Sequence, residues 1–306
     1  MKAPRRLLPL LALPALARAG TPATLLVGAP AGSGGDQWAR GVVPFLERHW
    51  ARATITVLNR PGQGGLTAAR ALAAAAADGL TLGAVGTPVL LARAVEQGAL
   101  PLMERLHFVG SVAEEPLLLV AASGAAPENW RNLPAAALLG TPQAGSAAQL
   151  AGIALAARLG VTPFAFANAA AVRQAVQAGH VQLAMLAAPD AMALLREGKL
   201  SALAVAAERR SPLLPDTATL RELGVPMAAR ACRGFALPAG TPLLKVNSLA
   251  QALHAVVNDP EFIAQADAYG YRPDFQGPDE WMGQVRLAAN DLAARWQSDP
   301  WTPRPG

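Results

Sequence analysis

Two glycine-rich loops near the start of the chain constrain its fold more than any other feature. The first is Gly28-Ala-Pro-Ala-Gly-Ser-Gly-Gly-Asp36, running into Gln37 to Leu46. The second is Leu58-Asn-Arg-Pro-Gly-Gln-Gly-Gly65, running into Leu66 to Leu72. Each sits between a short apolar run and a helix-like run. Strand–loop–helix units in series require parallel strands with helices covering the sheet. Glycine lets the chain turn tightly and lets a ligand approach the backbone. The helix that follows contributes free N–H groups and the positive end of its dipole. The loop Ala31, Gly32, Ser33, Gly34, Gly35, Asp36 is therefore an expected anion site, with glycines 34 and 35 supplying close approach and positive φ. Asp36 is expected to cap the helix that begins at Gln37. Asn59 and Arg60 in the second loop suit either an anion or a brace.

The strand–helix rhythm continues. Thr24–Val27, Ile55–Leu58 and Leu80–Val85 read as short buried strands, with a helix over Ala68–Ala77 stopped by Asp78-Gly79. Leu117–Ala121 reads as a further strand. Asn129–Leu139 reads as a helical region broken at Pro134, and Gln149–Leu159 as a helix ended by Gly160. Val172–Ala178 is a helix ended by Gly179. Val181–Leu186, Leu200–Val205 and Phe235–Leu237 read as strands. Leu243–Asn258 and Pro278–Gln297 are expected helices, separated by an excursion around Tyr269–Phe275, and the proline-rich tail after Asp299 is expected to fray. Ser146 caps the helix after it or donates its hydroxyl to a ligand. Asp190, after Pro189, is expected to cap the next helix.

Residues 1–19 carry Lys2, Arg5 and Arg6, then the apolar run Leu7–Leu16, then Ala17-Arg-Ala19. This is the pattern of a cleavable export signal, with the mature chain expected from Gly20. No cysteine stands at the cleavage point to carry a lipid. The signal holds four of the 26 lysines and arginines and no acid, so 22 bases face 21 acids afterwards and the net charge falls from +5 to near +1. The basic balance therefore gives no case for nucleic acid as a partner. The single cysteine, Cys232, excludes an internal disulfide and cysteine-based metal sites, and reads as a small buried apolar residue. His49, His107, His180 and His254 are scattered with no partner at ligand spacing. No G-x-S-x-G elbow is present. Gly32-Ser-Gly34 lacks the third glycine of a dinucleotide fingerprint, and no Lys-Ser/Thr pair marks a P-loop. These absences point to a binding protein without catalytic residues, cofactor or metal.

Several segments resemble, in order, the periplasmic receptors of tripartite tricarboxylate transporters, the Bug family. They are Pro30–Arg40, Asn59–Gly65, Ala77–Leu82, Ala178–Met185, Arg196–Val205, Glu208–Asp216 and Pro238–Pro242. The resemblance spans nearly the whole chain after the signal. It implies an α/β, two-lobed periplasmic binding protein of type II-like architecture, each lobe a mainly parallel sheet flanked by helices, with two crossover strands. The lobes are expected at 20–122 plus 235–306 and at 123–234. It implies a small organic acid held in the cleft and passed to integral membrane transporter subunits. The ligand would be held by 31–36, Gly86 and Thr87 on one side and by Ser146, Ala147, Phe166, Asn168, Ala169 and Ala187 on the other. The chain departs from the family pattern in the far lobe, at Phe166–Ala169, Met185–Ala188 and Ala231-Cys232-Arg233. Phe166, Ala167, Ala169, Leu186 and Ala187 thus replace more polar positions, which favours a monocarboxylate with an apolar body over a tricarboxylate. Ser146 and Asn168 would be the only side-chain polar contacts there. The same losses fit an alternative, a receptor-fold sensor or interaction protein with an eroded pocket.

Overall fold

The computed structural model describes residues 20–50, 53–124 and 129–303. The export signal at 1–19 lies outside them. The first sheet gathers β1 (Thr21–Val27), β2 (Ala53–Asn59), β3 (Thr81–Thr87), β4 (Leu106–Glu115), β10 (Ala231–Pro238) and β11 (Arg272–Gln276), in the order β11-β4-β10-β3-β1-β2. The second gathers β5 (Leu117–Ala122), β6 (Leu138–Thr141), β7 (Thr162–Ala165), β8 (Leu183–Ala187) and β9 (Leu200–Val205), in the order β7-β6-β8-β5-β9. The strands of the strand–helix units are parallel: β1 with β2 and β3, and β6 with β7 and β8. The strands at the passages between sheets run antiparallel to their neighbours, so both sheets are mixed.

Each sheet is covered on both faces, as parallel strands require. On one face of the first sheet lie α1 (Gly34–His49), α7 (Leu243–Val257) and α8 (Pro260–Tyr269), packing Trp38, Phe45, Leu249 and Phe262 over Leu25, Leu82 and Phe235. On the other lie α2 (Leu66–Ala73), α3 (Val89–Glu96) and α9 (Pro278–Ser298), packing Leu72, Leu91 and Trp281 against Leu26 and Phe108. The second sheet is covered by α4 (Ala147–Leu159) on one face, and by α5 (Ala169–Gln177) and α6 (Ala188–Arg196) on the other. Burying each such leucine or phenylalanine stabilises by about 1.5–3 kcal/mol. The result is a two-lobed α/β fold.

Four expectations are corrected. The sequence-based limits put 117–122 with the first lobe, but β5 pairs with β8 and β9 in the second sheet. Conversely 231–234 begin β10 in the first sheet. The passages between sheets therefore fall at Pro116 and just before Ala231. The segment 129–139 is not helical beyond a single turn at Trp130–Asn132. Its end forms β6, because Leu138 and Leu139 are needed between β7 and β8. The tail does not fray through 303: Trp301 is buried, stacks near Trp296 and donates its indole N–H to Glu96. Its carbonyl accepts from Gln149 Nε2 at 3.0 Å, which ties the tail to α4 under the second sheet.

Candidate functional site

The two glycine loops pack directly on one another. A Cβ on Gly28 would sit 2.6 Å from Gly65 Cα, so this contact requires glycine. In the first loop the left-handed residue is Gly32, φ +77°, and not Gly34 or Gly35. Gly35 is needed for space, since its Cβ would meet that of Ala29 at 2.9 Å. A Cβ on Gly34 would point into open space. The helix α1 begins at Gly34, with Ser33 at its N-cap, so the expected start at Gln37 moves back by one turn. The Ser33 hydroxyl donates to Pro30 O at 2.6 Å and does not cap. The amides of Gly34 and Gly35 are first-turn donors with no acceptor inside the helix. Ala31 is exposed at the turn.

Asp36 is not a cap but a buried brace inside the first turn. Its carboxylate accepts from Gly32 N at 2.8 Å, Arg40 Nε at 2.9 Å and Asn59 Nδ2 at 2.8 Å. Asn59 also donates to Ala29 O and accepts from Arg40, so the second loop's asparagine locks the first loop's shape. Burial pulls the Asp36 carboxyl upward, but the bonds from Arg40, Gly32 and Asn59 outweigh it and set it at about 2. A carboxyl depressed in the folded state stabilises above its unfolded value of 3.8 and loses that contribution as pH falls toward 2. Asp36→Asn is expected to cost about 1–3 kcal/mol at neutral pH, through donors left without an anionic acceptor. Urea unfolding at pH 7 and pH 3 checks this: the gap between the variant and the parent should narrow at the lower pH.

Gly86 and Thr87 end β3, half-buried. Across from them, Ser146 caps α4 by accepting Gln149 N at 3.1 Å, and Arg93 donates to Ala144 O to tie α3 to that loop. Ala147 and Pro88 line an open groove of about 320 Å³ that continues along α4 to Arg158, Arg230 and Arg295. Asn168 caps α5 by accepting Ala171 N at 2.9 Å. The oxygens of Ser146 and Asn168 are thus both engaged in capping. Ala169 opens α5 and packs on that helix's core. Phe166 turns its ring under Gly140, among Val172 and Val181, and meets Phe164 edge-on. Leu186 is fully buried in the same cluster. Leu186 therefore serves the second lobe's core, which corrects its expected place in an apolar ligand wall, while the half-buried Phe166 packs against that core. Ala187 stands at the N-cap of α6.

Sequence reasoning missed a charged group between the lobes. Arg233 on β10 donates through Nε to Glu115 at the end of β4. Its guanidinium lies 5.5 Å from the Trp38 ring and 5.9 Å from that of Tyr271. Its Nη1 would be 3.6 Å from a Cβ on Gly35. Asp190 does not cap α6; it sits in the first turn beyond the cap at Ala187. Arg173 holds it, donating to its backbone carbonyl at 3.0 Å and pairing with its carboxylate at 3.7 Å. Burial pushes the Asp190 carboxyl up to about 6 and Glu115 adds to the shift, while Arg173 and Arg233 oppose it. Ser146 and Asn168 are therefore not the only polar side chains near this space. The available signal was period two: Arg233 is a charged residue inside the otherwise apolar run Ala231–Pro238. Its neighbour Cys232 is buried, and burial raises its thiol to about 12, which makes it inert.

Residues 40–293 match the family of tripartite tricarboxylate transporter family receptors, TctC. A protein of the UPF0065 group from Bordetella bronchiseptica is 28% identical over 248 residues, covering 78% of this chain and 74% of the relative. The fold is similar to the crystal structure of a TctC solute-binding protein from Polaromonas, with a TM-score of 0.76 and 22% identity over 91% of this chain and 98% of that one. It is also similar to MatC from Rhodopseudomonas palustris with bound malate, with a TM-score of 0.69 and 26% identity over 91% and 98%. Among the described residues no helix is long and apolar enough to cross a membrane.

Proposed function

This chain belongs to the tripartite tricarboxylate transporter family receptors, and from that premise we propose that it captures a small organic carboxylate between its two lobes for delivery to membrane transporter subunits. It is a receptor and not an enzyme. The observation that carries the ligand reading is the first turn of α1. Its loop is locked by the Asp36–Arg40–Asn59 network, and its amides stand free beside the open face of Gly34. Backbone N–H bonds to a carboxylate are charge-assisted. The free amides of Gly34 and Gly35, together with a charged partner, support micromolar capture, about −8 kcal/mol. The malate in MatC is consistent with a carboxylate ligand class.

The lobes meet at Pro116 and before Ala231, and closure about these passages would bury the ligand. The ligand preference is for one carboxylate over three. The support for it moves from an apolar wall to charge: Arg233 is held by Glu115 and Arg173 pairs with Asp190, so a second or third carboxylate would be desolvated without a cation of its own. The protein is read as periplasmic, with residues 1–19 removed on export.

One preparation tests the reading. The protein recovered from the periplasm should begin at Gly20 by mass spectrometry. Calorimetry with benzoate, isovalerate, adipate, malate and citrate should give binding to a monocarboxylate in the micromolar range and little to citrate. Tight citrate binding without monocarboxylate binding would overturn the preference. Silence across all five would favour an interaction or sensor role for the fold.

A further inference from the structure

We propose that Arg233 is the side chain that anchors the ligand's carboxylate, closing the site that the first turn of α1 begins. This rests on the receptor reading and names the recognition element within it. Arg233 is held by Glu115 through Nε alone, and among the described residues no acceptor meets its terminal nitrogens. A guanidinium held by one edge presents its other two nitrogens as a preformed fork for a planar carboxylate. The fork lies against the first turn of α1, with Nη1 beside Gly35. The free amides of Gly34 and Gly35 open that same turn. A carboxylate placed there takes two bonds from the arginine and further bonds from the backbone.

Three features hold the fork in place. Trp38 and Tyr271 stack their rings within 6 Å of the guanidinium carbon, which limits its swing. Glu115, itself mostly buried, fixes Nε. The backbone of Arg233 is clamped on both sides, paired with Gly86 in β3 and Ala113 in β4. A fork with so little freedom loses little entropy on binding. From the second lobe, the first turn of α6 brings Asp190 into the electrostatic reach of Arg233. Arg233 stands two residues past the return passage and bonds Glu115, the last residue before the passage at Pro116, so the guanidinium sits where the chain crosses between the lobes. With one edge of Arg233 free and Arg173 already paired with Asp190, the anchor accommodates one carboxylate and leaves a second without a cation. A purely structural role for Arg233 would be complete with the Glu115 pair, and would leave ligand choice untouched.

The test compares the parent with Arg233→Met and with the double variant Arg233→Met/Glu115→Met, which removes the buried acid that the single change would strand. Each is titrated with benzoate and with benzamide, and with isovalerate and its amide. Thermal unfolding confirms that the double variant is folded. The parent should bind an acid and reject its amide. The anchor predicts that both variants lose affinity for that acid by about 10- to 100-fold, and that the acid-over-amide ratio collapses toward one. Arg233→Lys should recover part of the affinity. A folded double variant that keeps the parent's affinity and acid selectivity overturns the anchor while leaving the receptor reading intact. A parent that binds none of the acids, malate and adipate included, overturns the receptor reading and the anchor together.

Discussion

Gly234→Ala is expected to destabilise the protein by more than about 3 kcal/mol, at or beyond the upper end of ordinary overpacking costs. Gly234 lies in β10, beside a break in register with β4. A Cβ there would sit 2.1 Å from Gly110 O, 2.6 Å from Ser111 Cα and 2.7 Å from Trp281 Cη2. Two of these atoms are backbone of the neighbouring strand, and the third belongs to a fully buried tryptophan packed edge-on against Phe108. None is the end of a flexible side chain. Relief requires β10 and β4 to part, and β10 is the strand that carries the chain back from the second sheet to the first. Gly283→Ala in α9 is the matched control, since nothing lies within 4 Å of its Cβ. Helix propensity alone should make that change stabilising by about 0.5–1 kcal/mol. Urea midpoints measure both. A loss below 1 kcal/mol at Gly234 would show that the two strands are not packed as described.

The elements that the sequence announces are those whose local signals agree with their tertiary role. Leu25, Leu26 and Val27 are apolar on both faces because both faces of β1 are covered, and a continuous run is legible as a buried strand. Gly160 ends α4 in the left-handed region at φ +69°, where its lack of a Cβ removes the strain. The failures have physical causes as well. Ala135 to Leu139 favours a helix by propensity, yet the parallel neighbours β7 and β8 need a strand between them, and pairing outweighs propensity. Asp36 and Asp190 look like caps because each stands near a helix start. Cap geometry depends on a shift of one or two residues that composition does not encode. The loops of the site were legible because glycine is demanded by backbone contacts such as Gly28 against Gly65. Arg233 was not, because its partners lie 118 residues away at Glu115 and nearly 200 away at Trp38, and only the fold brings them together. Leu186 replaces a more polar position of the family pattern, but it lies inside β8 and the pleat turns it into the core.

Gly34→Val is expected to abolish capture of the carboxylate, at least 100-fold in affinity, while leaving the fold within about 1 kcal/mol of the parent. The two halves of that expectation come from different observations. Gly34 is the first residue of α1, its backbone is not left-handed, and nothing lies within 4 Å of where its Cβ would be. The Cβ of a valine therefore meets no neighbour, and the change is expected to cost little beyond its helix propensity. The same open space is where a carboxylate must come to reach the first-turn amides, and two methyl groups there hold it beyond the roughly 3 Å that an N–H···O bond requires. Losing several charge-assisted bonds at once removes about 3 kcal/mol or more, which is the 100-fold. Gly35→Ala separates this effect from general loop damage. Its Cβ would strike Ala29 at 2.9 Å, so it should lower both stability and affinity. Thermal unfolding and calorimetry on the two variants distinguish the cases. If Gly34→Val binds benzoate or isovalerate as the parent does, the carboxylate does not sit at the end of α1, and the groove between α4 and α9 becomes the better place for it.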